Sequence, residues 1–277
     1  MKTFLLLAGS MLLLINGFGQ QAYSKNSLSI SPGISFPIGG FASTTAGSSS
    51  AGYARPGEGL DIAFEHKLSS HFGLTAVLYG QHNGVNTNAL AIQLNNTPFV
   101  LPMFYSGTVQ QLPPPVYTTY PNWSVDNNSW YAEGLLVGAT CEFPLTKTKR
   151  LSFIARATIG AAHVSMPALN ASSVTDTAAA YIKQNSASAF APSFLVSAGI
   201  KYGLCKKLSF IVGFDYFGTT TVTFKNVTES MVTLHGFNVP GIYTPANAQA
   251  ISSSSFTSNQ KQPVASVNLH VGIALSL

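Results

Sequence analysis

Charge is scarce in this chain. Of its 277 residues, 14 are Lys or Arg and 9 are Asp or Glu, 8% in all, against about 25% in ordinary soluble domains. The net charge of +5 comes from basic residues that gather in threes at most. A nucleic-acid binder needs a denser basic surface with interleaved aromatics, so no nucleic-acid partner is expected. Lys67, the group Lys147, Lys149 and Arg150, and the pair Lys206 and Lys207 read as turn residues. Cysteine is nearly absent. Cys141 and Cys205 alone exclude a disulfide scaffold and leave a single bridge open. No long apolar run follows the N-terminus, so a transmembrane helix is excluded there, although the mean hydropathy is +0.24. Phosphate-binding glycine loops, CxxC, HExxH and GxSxG motifs are missing as well. The six histidines are His66, His71, His82, His163, His235 and His270, and none stands at ligand spacing with a Cys or an acid. No cofactor and no metal are expected.

What the chain does contain begins with MKTFLLLAGSMLLLINGFGQQAYS. Lys2 is a positive n-region, Phe4–Ile15 an apolar h-region, and Gly17 and Gly19 are small residues at a cleavage site before Gln20. Residues 1–19 therefore read as a signal peptide and 20–277 as one exported domain.

Eight later segments alternate with period 2, the mark of strands with one apolar and one polar face. They are Leu28–Phe36, Glu58–Lys67, His71–Gln81, Tyr131–Phe143, Leu151–Val164, Ser193–Gly203, Leu208–Phe217 and the C-terminal ten or so residues. In Ser193–Gly203, for example, Phe194, Val196, Ala198, Ile200 and Tyr202 oppose Ser197, Gly199 and Lys201. In Tyr131–Phe143, Glu133 is left on the apolar face, near a strand end. Short connections (LSS, PLTKTK, LCKK) alternate with long ones rich in Ser, Thr, Asn, Gln and Pro at 41–57, 82–130, 165–192 and 218–263. Loops of that length argue against a compact soluble domain and suit a barrel with short periplasmic turns and long extracellular loops.

The expected fold is all-β: a closed, antiparallel, up-and-down transmembrane β-barrel of eight strands. Closure satisfies every backbone group in lipid, and eight strands leave an interior that side chains fill. The polar face is then the lumen. It carries Asp61, Glu65, Glu142, Arg156, Lys201, Asp215 and His270, together with many glycines. These charges read as a paired ionic core, because each is costly alone in a low-dielectric interior. Phe72, Phe143, Phe153, Tyr202 and Phe210 near the short turns, and Tyr79, Tyr131, Phe194 and Tyr216 near the long loops, read as two outward girdles. Phe104, Tyr105, Tyr117, Tyr120 and Trp123, with Pro113-Pro114-Pro115, read as a partner surface or a lid over the mouth.

The stretches GEGLDIAFEHKLSSHFGLTAVLYG, FLVSAGIKYGLCKKLSFIVGFDYF and VNLHVGIALSL resemble the small outer-membrane β-barrel proteins common in Bacteroidetes, relatives in shape of the OmpA/OmpX-type barrels. The resemblance implies the outer membrane of a Gram-negative bacterium, contact with its lipids, insertion by the barrel-assembly machinery after periplasmic chaperoning, and no cofactor. Such barrels usually finish on Phe, Tyr or Trp, whereas this chain ends on Leu277.

Three functions fit such a barrel. The leading expectation is a non-enzymatic integral outer-membrane protein with a side-chain-filled lumen, whose long polar loops set surface or envelope interactions with an extracellular ligand or partner. The second is a small-solute channel or transporter. The third rests on His163-Val164-Ser165 near the long-loop end of an outward strand face, followed by Asp176. Outer-membrane lipid A deacylases are similar in carrying a His-x-Ser pair and a downstream acid, which would make His163 the base, Ser165 the nucleophile and Asp176 the orienter.

Overall fold

A computed structural model describes residues 25–45, 51–101, 116–118, 120–148, 150–175, 178–235 and 249–277. The segment read as a signal peptide, Asp176, Phe104, Tyr105 and Pro113–Pro115 lie outside the described residues. In chain order the strands are β1 (Asn26–Pro37), β2 (Ala54–Lys67), β3 (Phe72–Val85), β4 (Phe99–Leu101), β5 (Val116–Thr118), β6 (Ser124–Val125), β7 (Ser129–Pro144), β8 (Leu151–Met166), β9 (Leu169–Val174), β10 (Ala178–Gln184), β11 (Ala187–Gly203), β12 (Leu208–Thr219), β13 (Val222–His235), β14 (Gln249–Gln262) and β15 (Ala265–Ser276). A helix spans Thr87–Asn96, capped by the Asn86 side chain, which accepts from the Ala89 N–H.

Eight strands close into an antiparallel barrel in the order β1-β15-β12-β11-β8-β7-β3-β2, with β1 sealing against β15. Each of the eight alternating segments is one barrel strand, extended by several residues at the long-loop end in most cases. The short connections are tight: the Leu68 and Leu204 N–H groups donate to Phe72 and Leu208 carbonyls at 2.9 Å.

Period-2 alternation sends every second side chain outward. Leu78, Leu135, Ile159, Val196, Phe214 and Leu269 are exposed on the outer wall, an apolar belt that only lipid can cover at this extent. Phe72, Phe143, Phe153, Tyr202 and Phe210 ring the short-turn end, all outward. At the other end Phe194 stacks on Tyr216 and Tyr131 on His82. Tyr79 does not join that girdle. Its parity places it inside the barrel, buried and stacked on Phe217 with ring centroids 4.3 Å apart.

The described parts of the connections at 82–130, 165–192 and 218–263 contain further strands. They build a five-stranded sheet, β14-β13-β10-β9-β6, and a small β4-β5 pair beyond the mouth of the barrel. One apolar core runs from the upper lumen into this layer. Val77, Leu136, Leu195 and Phe217 of the barrel join Trp130, Phe41, Val222, Phe224 and Val227, and the Trp130 Nε1–H donates to the Gly52 carbonyl at 2.9 Å. A second cluster holds Tyr120 and Trp123 against Ala171, Ala180 and Ile182. These two aromatics are therefore core residues, and not the partner surface or lid that their place in a long connection suggests. Burying about 150–250 Å² each, they hold the extracellular layer together.

Candidate functional site

The lumen charges predicted from parity all point inward, but they form two groups at different heights. In the middle, Arg156 Nη2 lies 3.6 Å from Asp61 Oδ2 and 4.0 Å from Asp215 Oδ1, and His270 Nδ1 lies 2.8 Å from Asp215 Oδ2. All four side chains are buried. The ladder explains the meeting. Arg156 pairs with Ser197, Ser197 with Asp215, and Asp215 with Asn268, so one row crosses β8, β11, β12 and β15. Asp61 projects from β2, across the lumen. Gly213 and Gly33 both face His270 on the neighbouring strands. A Cβ on Gly213 would lie 2.8 Å from His270 Nε2, so the imidazole occupies the space that a side chain there would need.

Nearer the short turns, Glu142 Oε2 is bound by Lys67 Nζ at 2.8 Å and by Lys201 Nζ at 3.2 Å. Lys67 ends β2 and points into the lumen mouth, so it is a lumen partner in addition to its place beside a turn. This group lines a cavity of about 700 Å³ open to the short-turn side. Glu65 belongs to neither ionic group: its carboxylate accepts from the Ser27 and Thr140 hydroxyls at 3.3 and 3.4 Å. Alternation fixes the face of a residue and says nothing of its height, which is why the two groups read as one network in the sequence.

An uncharged polar layer completes the interior. Asn268 Nδ2 donates to the Tyr79 hydroxyl at 2.9 Å, and Tyr79 donates in turn to Gln81 Oε1, which also accepts from Ser266 Oγ at 2.6 Å. Sequence reasoning missed Tyr79, Gln81, Ser266 and Lys67. Parity alone would have found the first three. Above this layer the apolar core fills the barrel, so the lumen is a packed interior.

On the outer wall His163 and Ser165 share a face, as expected. The acid beside His163 is Glu133, at 3.6 Å, which accounts for an outward acid near a strand end. His163 also lies against Phe190, with ring centroids 5.0 Å apart. Among the described residues no hydrogen bond joins Ser165 to His163. Cys141 and Cys205 are free thiols. In the extracellular layer, burial raises the Glu229 carboxyl above its ordinary value.

A closed ring of strands, an apolar belt between two aromatic girdles, short turns at one end and a filled polar interior define an outer-membrane β-barrel. No protein-family model and no curated protein matches the chain. Solved structures similar to it include Neisserial surface protein A, at 10% identity with 93% of this chain and 100% of that one covered and a TM-score of 0.38. The attachment invasion locus protein Ail of Yersinia pestis is similar at 10% identity, 92% and 100% coverage and a TM-score of 0.38. A major outer membrane protein of Thermus thermophilus is similar at 13% identity, 90% and 98% coverage and a TM-score of 0.41. The barrel class itself rests on this chain's own strand ring and belt.

Proposed function

We propose that the chain is a non-enzymatic surface protein of a Gram-negative bacterium, of the small-barrel kind common in Bacteroidetes, that acts through its extracellular sheet. The observation that carries this reading is β14. It pairs with β13 along one side and is the edge strand of the five-stranded sheet. Ser253–Asn259 are exposed, Phe256 among them, and no proline or charge interrupts Gln249–Gln260. Soluble and surface proteins normally blunt such an edge, because its unpaired N–H and C=O groups template another strand. An edge left open on an ordered platform fits strand addition by an extended segment of an extracellular partner. Lipid contact, chaperoning and insertion by the barrel-assembly machinery belong to the same reading. The apolar core across the lumen argues against a solute channel.

Two measurements test it. The refolded chain, inserted in a planar bilayer, is expected to be silent. Cells displaying the intact chain are expected to aggregate or attach to a surface more than cells displaying Ser254→Lys/Phe256→Lys, which charges the edge without touching the core. Stable conductance steps would favour the channel. Equal attachment by both chains, at equal display, would remove the role of the edge.

A further inference from the structure

The central lumen group gathers more acceptor atoms than donors: two carboxylates and an amide oxygen face one guanidinium and one imidazole. Asp61, Asp215 and His270 each place one donor atom such that all three lie within 4.8 Å of one another. Asp61 Oδ2 and Asp215 Oδ1 face Arg156 at 3.6 and 4.0 Å, too far for a hydrogen bond, His270 Nδ1 lies 2.8 Å from Asp215 Oδ2, and Asn268 Oδ1 has no partner. Asp61, Asp215, Asn268 and His270 are 3%, 1%, 3% and 4% exposed. They line one narrow void that does not admit a water-sized sphere. Water therefore cannot satisfy them, and buried polar atoms left in that state are rare.

Asn268 is the independent sign of a ligand. Its amide nitrogen donates to Tyr79, and its carbonyl oxygen, without a hydrogen-bond partner, belongs to the lining of the same cavity. A carbonyl oxygen cannot pair with a carboxylate, so it stands unpaired among acceptors. Such an arrangement has a use when a cation sits between them.

We propose that the lumen binds one divalent transition-metal cation, with Asp61, Asp215 and His270 as ligands and the Asn268 carbonyl as a neutral fourth. Ligand atoms within 4.8 Å of one another reach a centre about 2.0–2.2 Å from each once rotamer shifts draw them to about 3.5 Å apart. One imidazole nitrogen with three oxygens favours Zn²⁺, Mn²⁺ or Fe²⁺ over Ca²⁺ and Mg²⁺, which prefer all-oxygen shells, and over Cu⁺, which prefers sulfur. Arg156, beside the two carboxylates, keeps the acids from carrying an uncompensated charge before the ion arrives and moves aside from the oxygens that the ion takes. The ligands come from β2, β12 and β15, far apart in sequence, which is why no metal spacing is visible there. The ion would cross-link strands on both sides of the β1-β15 closure. The competing occupants are protons, one on His270 paired with Asp215 and one shared between the Asp61 and Asp215 carboxyls.

The test uses the mature chain refolded in detergent, stripped with EDTA, loaded with Zn²⁺ and desalted. Retained metal is measured by mass spectrometry, and the heat-induced shift in gel mobility gives the unfolding temperature. One equivalent is expected, with a higher unfolding temperature than the stripped chain and an X-ray absorption shell of nitrogen and oxygen. Asp215→Asn and His270→Gln are expected to weaken retention at least tenfold. Asn268→Ala, which keeps every charge, serves if these do not fold, and is expected to weaken retention severalfold. His66→Ala, His71→Ala and His163→Ala are expected to retain the full equivalent. Failure to retain Zn²⁺ overturns the proposal in favour of the protonated His270 pair. Retention unchanged in the lumen variants but lost in one of the outer histidine variants overturns it in favour of a surface site.

Discussion

Replacing Arg156 by Met keeps most of the side-chain volume and removes the cation that faces both Asp61 and Asp215. At an effective dielectric constant of about 20, unit charges are worth about 5 kcal/mol at the 3.6 Å separation from Asp61 and about 4 kcal/mol at the 4.0 Å separation from Asp215. These gross attractions are offset by the desolvation of the guanidinium, which Met does not suffer. What remains is the cost of two buried acids without their partner, about 3–5 kcal/mol from comparable truncations. Urea unfolding of the refolded barrel, followed by the fluorescence of Trp123 and Trp130, reads this directly. EDTA is present throughout so that no cation replaces the guanidinium. The double variant Arg156→Met/Asp61→Asn removes one of the stranded charges and is expected to recover at least half of the loss, as a coupling term in a double-mutant cycle. A loss below about 1 kcal/mol for Arg156→Met, or a double variant less stable than the single, would refute the view that these charges form one buried, mutually dependent group.

Phe217→Ala removes the ring that stacks on Tyr79 inside the barrel and is expected to cost about 3–5 kcal/mol by the same unfolding assay. Gly213→Val forces atoms against the Ala198 carbonyl and His270 Nε2, both 2.8 Å from an added Cβ; a loss of about 1–3 kcal/mol is expected, and an unchanged urea midpoint would show that the lumen is looser than described. For Glu229, burial raises the carboxyl in the folded sheet, so the folded state holds its proton to higher pH than the unfolded state does. The sheet is then most stable below the ordinary carboxylate range and loses stability as pH rises through the raised value. Hydrogen exchange of β13 and β14 amides is expected to quicken over that window beyond its intrinsic pH dependence, and Glu229→Gln to abolish the excess.

The barrel was legible because its strands sit between lipid and a polar interior, and that contrast writes alternation into the sequence. Lys201 and Asp215 show the strength of the signal: a charge amid apolar residues has one inward parity and no other place to go. Height was not legible. Nothing local says that Glu142 meets Lys67 while Arg156 meets Asp61, since strand register and barrel closure decide both. The extracellular sheet was invisible for a different reason. In β14 the run Ser253–Asn259 is exposed on both faces, so no apolar alternation marks it. In β13 the alternation of Val222 and Phe224 is broken by a register shift before Val227, where Asn226 adopts a positive φ of 56°. The chemistry of Tyr79 suggests a girdle, although its parity with Val77 and Thr75 points inward, and parity prevails.

The core shared by the barrel and the sheet beyond it limits how the outside of this protein can change. Where loops hang free of a barrel, antibodies or phage can select new sequences at little cost to assembly. Here Trp130 and Phe224 tie the outer layer to the lumen, so a change at either alters the fit of residues that no antibody reaches. The tolerant positions are the serines of β14, whose exposed side chains leave the core untouched. Variation of the outer surface should therefore collect on the β14 edge, and under the proposed strand-addition role each change there would be traded against attachment.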